Sequence, residues 1–170
     1  MIIGKHLIAG KWTSSKKSFQ NSPINGEPIT FSSGTEELIN EACQLAARAA
    51  IDVKNTSRSQ RGNFLRAIGR EIDARGDEIT TVASNETGLP TARIIGERAR
   101  TVGQLNMFAD ALESGTYLDR RHDIALPDRT PLPRPEMYLM QRPIGPVAVF
   151  GASNFPLAFS VAGGDTAAAL

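Results

Sequence analysis

The run VAVFG at residues 147–151 constrains this chain more than any other segment. It has no polar side chain and lies between Gly145-Pro146 and the turn ASNFP, a pattern that predicts a strand buried on both faces. Such a strand belongs to a parallel sheet, with neighbours along its edges and helices across its faces. The fold class expected is therefore α/β, and the 170 residues supply only the start of the sheet. A new helix is expected from Leu157, and the Ala-rich pattern it begins stops at Leu170 without a cap.

The segments before this run carry different periods. KHLIAGKW folds back at Ala9-Gly10, and SPINGEPI places Asn25-Gly26 between two extended pieces, which predicts a β-rich lead-in. From Ser33 the period becomes helical: Ser33 and Glu36 can form a capping box, and Leu38, Ala42, Leu45 and Ala49 follow at helical spacing. Phe64, Leu65, Ile68 and Ile72 mark a second helix, and Ile79, Val82 and Ala83 a third that Gly88 can cap. Pro90 can open a fourth that ends near Gly115. Residues 116–135 hold prolines at 127, 131, 133 and 135, which predicts an extended connector anchored by Ile124, Leu126 and Leu132. EMYLMQRP then alternates like a strand.

Composition removes several kinds of chemistry. With 19 basic and 18 acidic residues the net charge is +1, and only the stretch from Arg93 to Arg100 is locally basic, so no nucleic-acid partner is expected. A single cysteine, Cys43, and two histidines give no metal-ligand spacing. Cys43 has no basic neighbour in sequence to lower its pKa and is read as a small packing residue. No run approaches a membrane span and the N-terminus is unlike a secretory signal, so the chain is expected to be soluble and cytoplasmic, with no membrane partner.

The chemistry sits in the second half. A strand, a small-residue turn and a helix form the arrangement by which open α/β sheets bind nucleotides, and Gly151, Ala152 and Ser153 have too little bulk to keep a flat cofactor from their backbone. The same turn also fits a connection kept small for packing. Asn154 offers two amide donors at the strand end, suited to an oxygen that gains negative charge. It equally fits a helix cap or a self-satisfied turn.

The whole pattern RPIGPVAVFGASNFPLAFSVAGGDTAAAL resembles the aldehyde dehydrogenase superfamily. LIAGKW, SPINGEPI, and SRSQRGNFLRAIGREI followed by ETGLP are similar to that family's successive N-terminal motifs, so the resemblance covers essentially the full chain. With Ser153 before the Asn and AGGDTA after it, the segment is most similar to the branch that oxidises α-ketoglutarate semialdehyde. The resemblance implies the N-terminal part of the aldehyde dehydrogenase fold: helices, the start of a Rossmann-like parallel sheet, and a β-hairpin that serves oligomerisation near residues 116–142. It makes residues 1–170 an incomplete NAD(P)-binding domain, with the catalytic domain absent.

The resemblance also implies roles. Asn154 is similar to the oxyanion-hole Asn, Phe150, Gly151, Ala152 and Ser153 to the backbone lining the nicotinamide side of an NAD or NADP cleft, and Phe155 to a residue facing the aldehyde tunnel. The family's nucleophilic Cys, general-base Glu and ribose-binding Lys lie downstream of the matching segment, so the chain alone is expected to be inactive and to be a piece of a longer homo-oligomeric enzyme. On the fourth helix Arg93, Gly96, Arg100 and Gln104 share one face. The resemblance puts that face beside the substrate, where Arg100, with Arg93 second, would pair with the distal carboxylate of an ω-oxo acid. An ordinary solvated face made by these arginines with Glu97 explains the spacing equally well. Two rival readings of the chain are an inactive remnant that associates with full-length subunits and an unrelated α/β nucleotide-binding module.

Overall fold

The computed structural model describes residues 2–170. Two short hairpins come first. Strands β1 (His6–Ile8) and β2 (Lys11–Thr13) pair antiparallel with His6 opposite Thr13, and Ala9 and Gly10 both take positive φ between them. That is the twist a two-residue hairpin turn requires. Strands β3 (Ser18–Gln20) and β4 (Thr30–Ser32) pair with Phe19 opposite Phe31, further from Asn25-Gly26 than a tight turn would leave them. The intervening loop instead docks on a helix end: the Ile24 and Asn25 amides donate to the carbonyls of Glu86 and Asn85.

Four helices follow in the expected order: α1 (Glu36–Lys54), α2 (Arg58–Ala74), α3 (Gly76–Thr87) and α4 (Thr91–Ser114). Gly88 and Gly115 end α3 and α4 in the left-handed conformation that favours glycine. The expected capping box is displaced. Ser33 is occupied by the sheet, its amide donating to Lys17 and its carbonyl accepting from the Ser15 hydroxyl, so Thr35 caps α1. A capping box forms instead on α2, between Ser57 and Gln60.

The core lies between α2 and α4. Leu65, Leu105, Ala109, Leu112 and Ala167 are buried together, with Ile68, Ile72 and Phe108 packed against them. Glycine lets the two helices approach closely, since a Cβ on Gly62 would lie 3.3 Å from the Ala109 carbonyl oxygen. Arg66 of α2 spans the seam to Asp110 at 2.6 Å and Glu113 at 2.8 Å on α4. Arg98 ties α4 to α3 through the Thr80 hydroxyl at 3.2 Å.

Several expectations need correction. Helix α1 forms as read, yet it buries no residue, and Cys43 on it is exposed rather than packed. Phe64 is likewise half-exposed on the face of α2 turned away from α4. The proline-rich connector is not anchored: Ile124 and Leu132 are 62% and 72% exposed, and the segment is held by a bridge between Leu126 and Arg134. Strands β5 (Arg121–Asp123) and β6 (Met137–Leu139) pair beside it, with His122 stacked on Tyr138 at 4.3 Å.

The largest departure is the run at 147–151, which joins no sheet. The described residues form three two-stranded antiparallel sheets, and Ile144 and Phe150 are 92% and 87% exposed. A parallel strand needs partners for its N–H and C=O groups, and no second parallel strand is present among the described residues. The helix expected from Leu157 begins later, as α5 (Gly164–Ala169), after a series of turns. No helix among the described residues is long and apolar enough to cross a membrane, and none of their His, Cys, Asp and Glu side chains form a group able to hold a metal.

Two outcomes follow from the α2–α4 seam. Replacing Leu65, 1% exposed, with Ala should lower the unfolding free energy by about 3 kcal/mol in urea melts; a loss under about 1 kcal/mol would show that the seam can collapse onto the gap. The Arg66 guanidinium, by hydrogen bonding and then by charge, holds the Glu113 carboxyl below the usual carboxylate range. Its stabilising contribution is therefore present above the unfolded-state pKa and fades as pH falls through the lower folded value. Arg66→Met should flatten the acid side of a stability–pH profile, and an unchanged acid slope would count against the pair.

Candidate functional site

Helix α4 carries one buried stripe: Ile94, Glu97, Thr101, Leu105, Ala109 and Leu112. The spacing is that of a single helix face, but its chemistry changes along the axis. The C-terminal half is apolar and faces α2. The N-terminal half is polar, and residues 154–164 lie across it.

Glu97 is the pivot of that polar half. Its carboxylate is 6% exposed and accepts from the backbone amides of Leu157 at 3.1 Å and Ala158 at 3.5 Å through Oε2. Its Oε1 receives the Arg93 Nε at 3.3 Å, and Arg93 Nη2 reaches the Asn154 carbonyl at 3.0 Å. Thr101 donates its hydroxyl to the Glu97 carbonyl at 2.9 Å, which satisfies the remaining polar member of the stripe internally. A buried carboxylate is tolerable only with such partners.

The rest of the turn is fixed by close backbone approach. Ala152 donates to the Phe159 carbonyl at 2.7 Å, and Gly164 to that of Ala158 at 2.9 Å. A Cβ on Gly163 would lie 2.5 Å from the Ala158 carbonyl oxygen, so only glycine fits there. Gly164 in turn abuts the Gln104 side chain. Phe155 and Phe159 meet edge to face at 5.3 Å, with Arg93 over the first ring at 5.2 Å and Arg100 over the second at 5.8 Å.

The structure thus brings Arg93, Asn154 and Phe155 together, with Arg100 alongside through Phe159. It does not leave the two arginines equivalent. Arg93 is committed to Glu97 and the Asn154 carbonyl, whereas the Arg100 guanidinium makes no hydrogen bond or ion pair among the described residues. The Asn154 side-chain amide also makes none and is exposed. Phe150, Gly151, Ala152 and Ser153 form an exposed strip beside it. Glu97 is buried and so is not part of a solvated face, whereas Arg93 and Arg100 are both exposed. The sequence signal for Glu97 was its place in the buried register, at i+3 from Ile94 and i−4 from Thr101, where an ion is unexpected unless partnered.

Comparison with known proteins identifies the family and the fold. Residues 12–170 match the model of the aldehyde dehydrogenase family. The chain is 47% identical over its full length to alpha-ketoglutaric semialdehyde dehydrogenase 2 of Azospirillum brasilense and 48% identical, over 98% of its length, to alpha-ketoglutaric semialdehyde dehydrogenase of Acinetobacter baylyi. It spans 32% of the length of each. Among solved structures, an E. coli NADP dependent enzyme superposes with a TM-score of 0.76 at 21% identity, covering 92% of this chain and 32% of that one. A betaine aldehyde dehydrogenase from Staphylococcus aureus in complex with NAD+ superposes with a TM-score of 0.64 at 24% identity, over 74% of this chain and 26% of its own. The helices and hairpins are those of the N-terminal part of the aldehyde dehydrogenase fold, and the chain belongs to the aldehyde dehydrogenase family.

Proposed function

We propose that this chain forms the N-terminal third of a nicotinamide-dependent dehydrogenase that oxidises an ω-oxo acid, α-ketoglutarate semialdehyde, to the carboxylate. The observation that carries this reading is the near-half identity, sustained from end to end, with two enzymes named for that substrate. Residues 1–170 then belong to an NAD(P)-binding domain, and the β5–β6 hairpin, with Tyr138 and Leu139 exposed, is its oligomerisation element, within residues 116–142. The nucleophile, general base and ribose-binding lysine belong to the remainder of such an enzyme.

The strip 150–153 fits a flat cofactor. Gly151, Ala152 and Ser153 have little bulk, all four residues are exposed, and a Cβ on Gly151 would press to 3.1 Å on the Phe159 carbonyl oxygen. When bound there, NAD or NADP supplies a hydride acceptor. The chain's own residues supply the rest. The free Asn154 amide donates to the aldehyde oxygen as it gains negative charge, a role that is effective because the donor is already in position. Phe155 lines the approach of the aldehyde. Arg100, unpaired on α4, takes the distal carboxylate of the substrate with its planar fork of donors.

The protein as purified from its source, with its intact mass recorded, should reduce NAD or NADP in the presence of α-ketoglutarate semialdehyde, faster than with an uncharged aliphatic aldehyde. Absence of reduction with every aldehyde would overturn the assignment. In that enzyme Asn154→Ala should lower kcat by about 10²–10³-fold. Arg100→Met should raise KM for the oxo acid by about tenfold to a hundredfold and leave simple aldehydes unaffected, the range expected for losing a hydrogen-bonded ion pair. Equal losses for both substrate classes would refute the anchor.

A further inference from the structure

We propose that Glu97 is the positioning residue for Asn154: its buried carboxylate sets the backbone of residues 154–158 and thereby the direction of the Asn154 amide. The inference rests on the reading of Asn154 as the donor to the aldehyde oxygen. It goes beyond that reading because the Glu97 side chain is buried beneath the turn and bonds to Arg93, Leu157 and Ala158 rather than to strip 150–153.

The geometry closes a loop of contacts around Asn154. From below, Glu97 Oε2 holds the amides of Leu157 and Ala158, three and four residues further along the chain. From the side, Arg93 bridges Glu97 Oε1 to the Asn154 carbonyl. The segment between those two attachments is too short to reorient while both hold. Only the Asn154 side chain is left free, and its backbone is held at its own carbonyl by Arg93 and, on the N-terminal side, by the Ala152 amide donating to the Phe159 carbonyl. A neutral side chain at position 97 would not hold Arg93 by charge, and an apolar one would leave two buried or half-buried amides without an acceptor. No other contact in the fold requires a carboxylate at this point of the buried stripe, since Leu105, Ala109 and Leu112 carry the packing against α2.

Two measurements test the link. In the chain itself, Glu97→Ala and Glu97→Gln should accelerate hydrogen exchange at the Leu157 and Ala158 amides by about tenfold or more, the order expected when a hydrogen bond to a charged acceptor is lost, with Leu105 and Ala109 unchanged. Unchanged exchange at 157 and 158 in a folded variant overturns the Glu97 link alone. In the aldehyde-oxidising enzyme, Glu97→Ala should lower kcat by about tenfold to a hundredfold with the aldehyde KM little changed, as misplacement of a reacting group does. Combined with Asn154→Ala it should cost nothing further, because its effect runs through that residue. Equal losses on both backgrounds overturn the proposal. If Glu97→Ala does not fold, Glu97→Gln carries both measurements. If Asn154→Ala by itself leaves kcat unchanged, the reading beneath the inference fails, and its catalytic half with it.

Discussion

Everything in this structure hangs on the buried stripe of α4. Six residues, from Ile94 to Leu112, share one face of a 24-residue helix, and that face has two unlike partners. Its apolar end is covered by α2, where Leu65 and two close-approaching glycines, Gly62 and Gly69, let the helices meet without a gap. Its polar end is covered by the turn that carries Asn154. Because one rigid helix serves both, the packing of the core fixes the height at which Glu97 meets the amides of Leu157 and Ala158. Stability and site geometry are properties of the same surface.

A carboxylate placed in such a stripe is costly. Removing an ion from water exacts several kcal/mol, which is offset only when its lone pairs find donors at good geometry. Glu97 meets this condition with two backbone amides and one guanidinium, none of them from the helix it faces in the core. The same desolvation that makes the group expensive makes its bonds directional and hard to break, because water does not compete at 6% exposure. An apolar residue at 97 would pack as well, but it would leave those amides unmet. The carboxylate therefore specifies one arrangement of the turn where hydrophobic contact would accept several.

Much of this was legible in the residues. The helices read from Leu38, Leu65, Val82 and the Gly88 and Gly115 stops all form, because local propensity and capping agree with the tertiary result. The arginine face of α4 and the Asn-bearing turn were each visible, but not their contact, since a separation of 61 residues leaves no local trace. The capping box moved from Ser33 to Ser57 because β4 claims the backbone around Ser33, a competition that only the tertiary structure decides. For Glu97 the solvated reading stood level with its alternative because charge was weighed equally with register. Its spacing from Ile94 and Thr101 already placed it on the inward face.

The run at 147–151 shows where periodicity stops being sufficient. Its composition is that of a buried strand, but burial is a property of neighbours, and the described residues present none on either edge. The contacts that the described residues do supply, to the turn that follows the run, come from a helix. Ala152 is joined to Phe159 by one short hydrogen bond, and the residues from Asn154 onward are tied to α4 through Glu97 and Arg93. Among the described residues, strip 150–153 is positioned from α4 through the turn that follows it. The acceptor for the Leu157 and Ala158 amides comes from the helix beneath the turn, so the conformation of residues 154–158 is set by a side chain of α4.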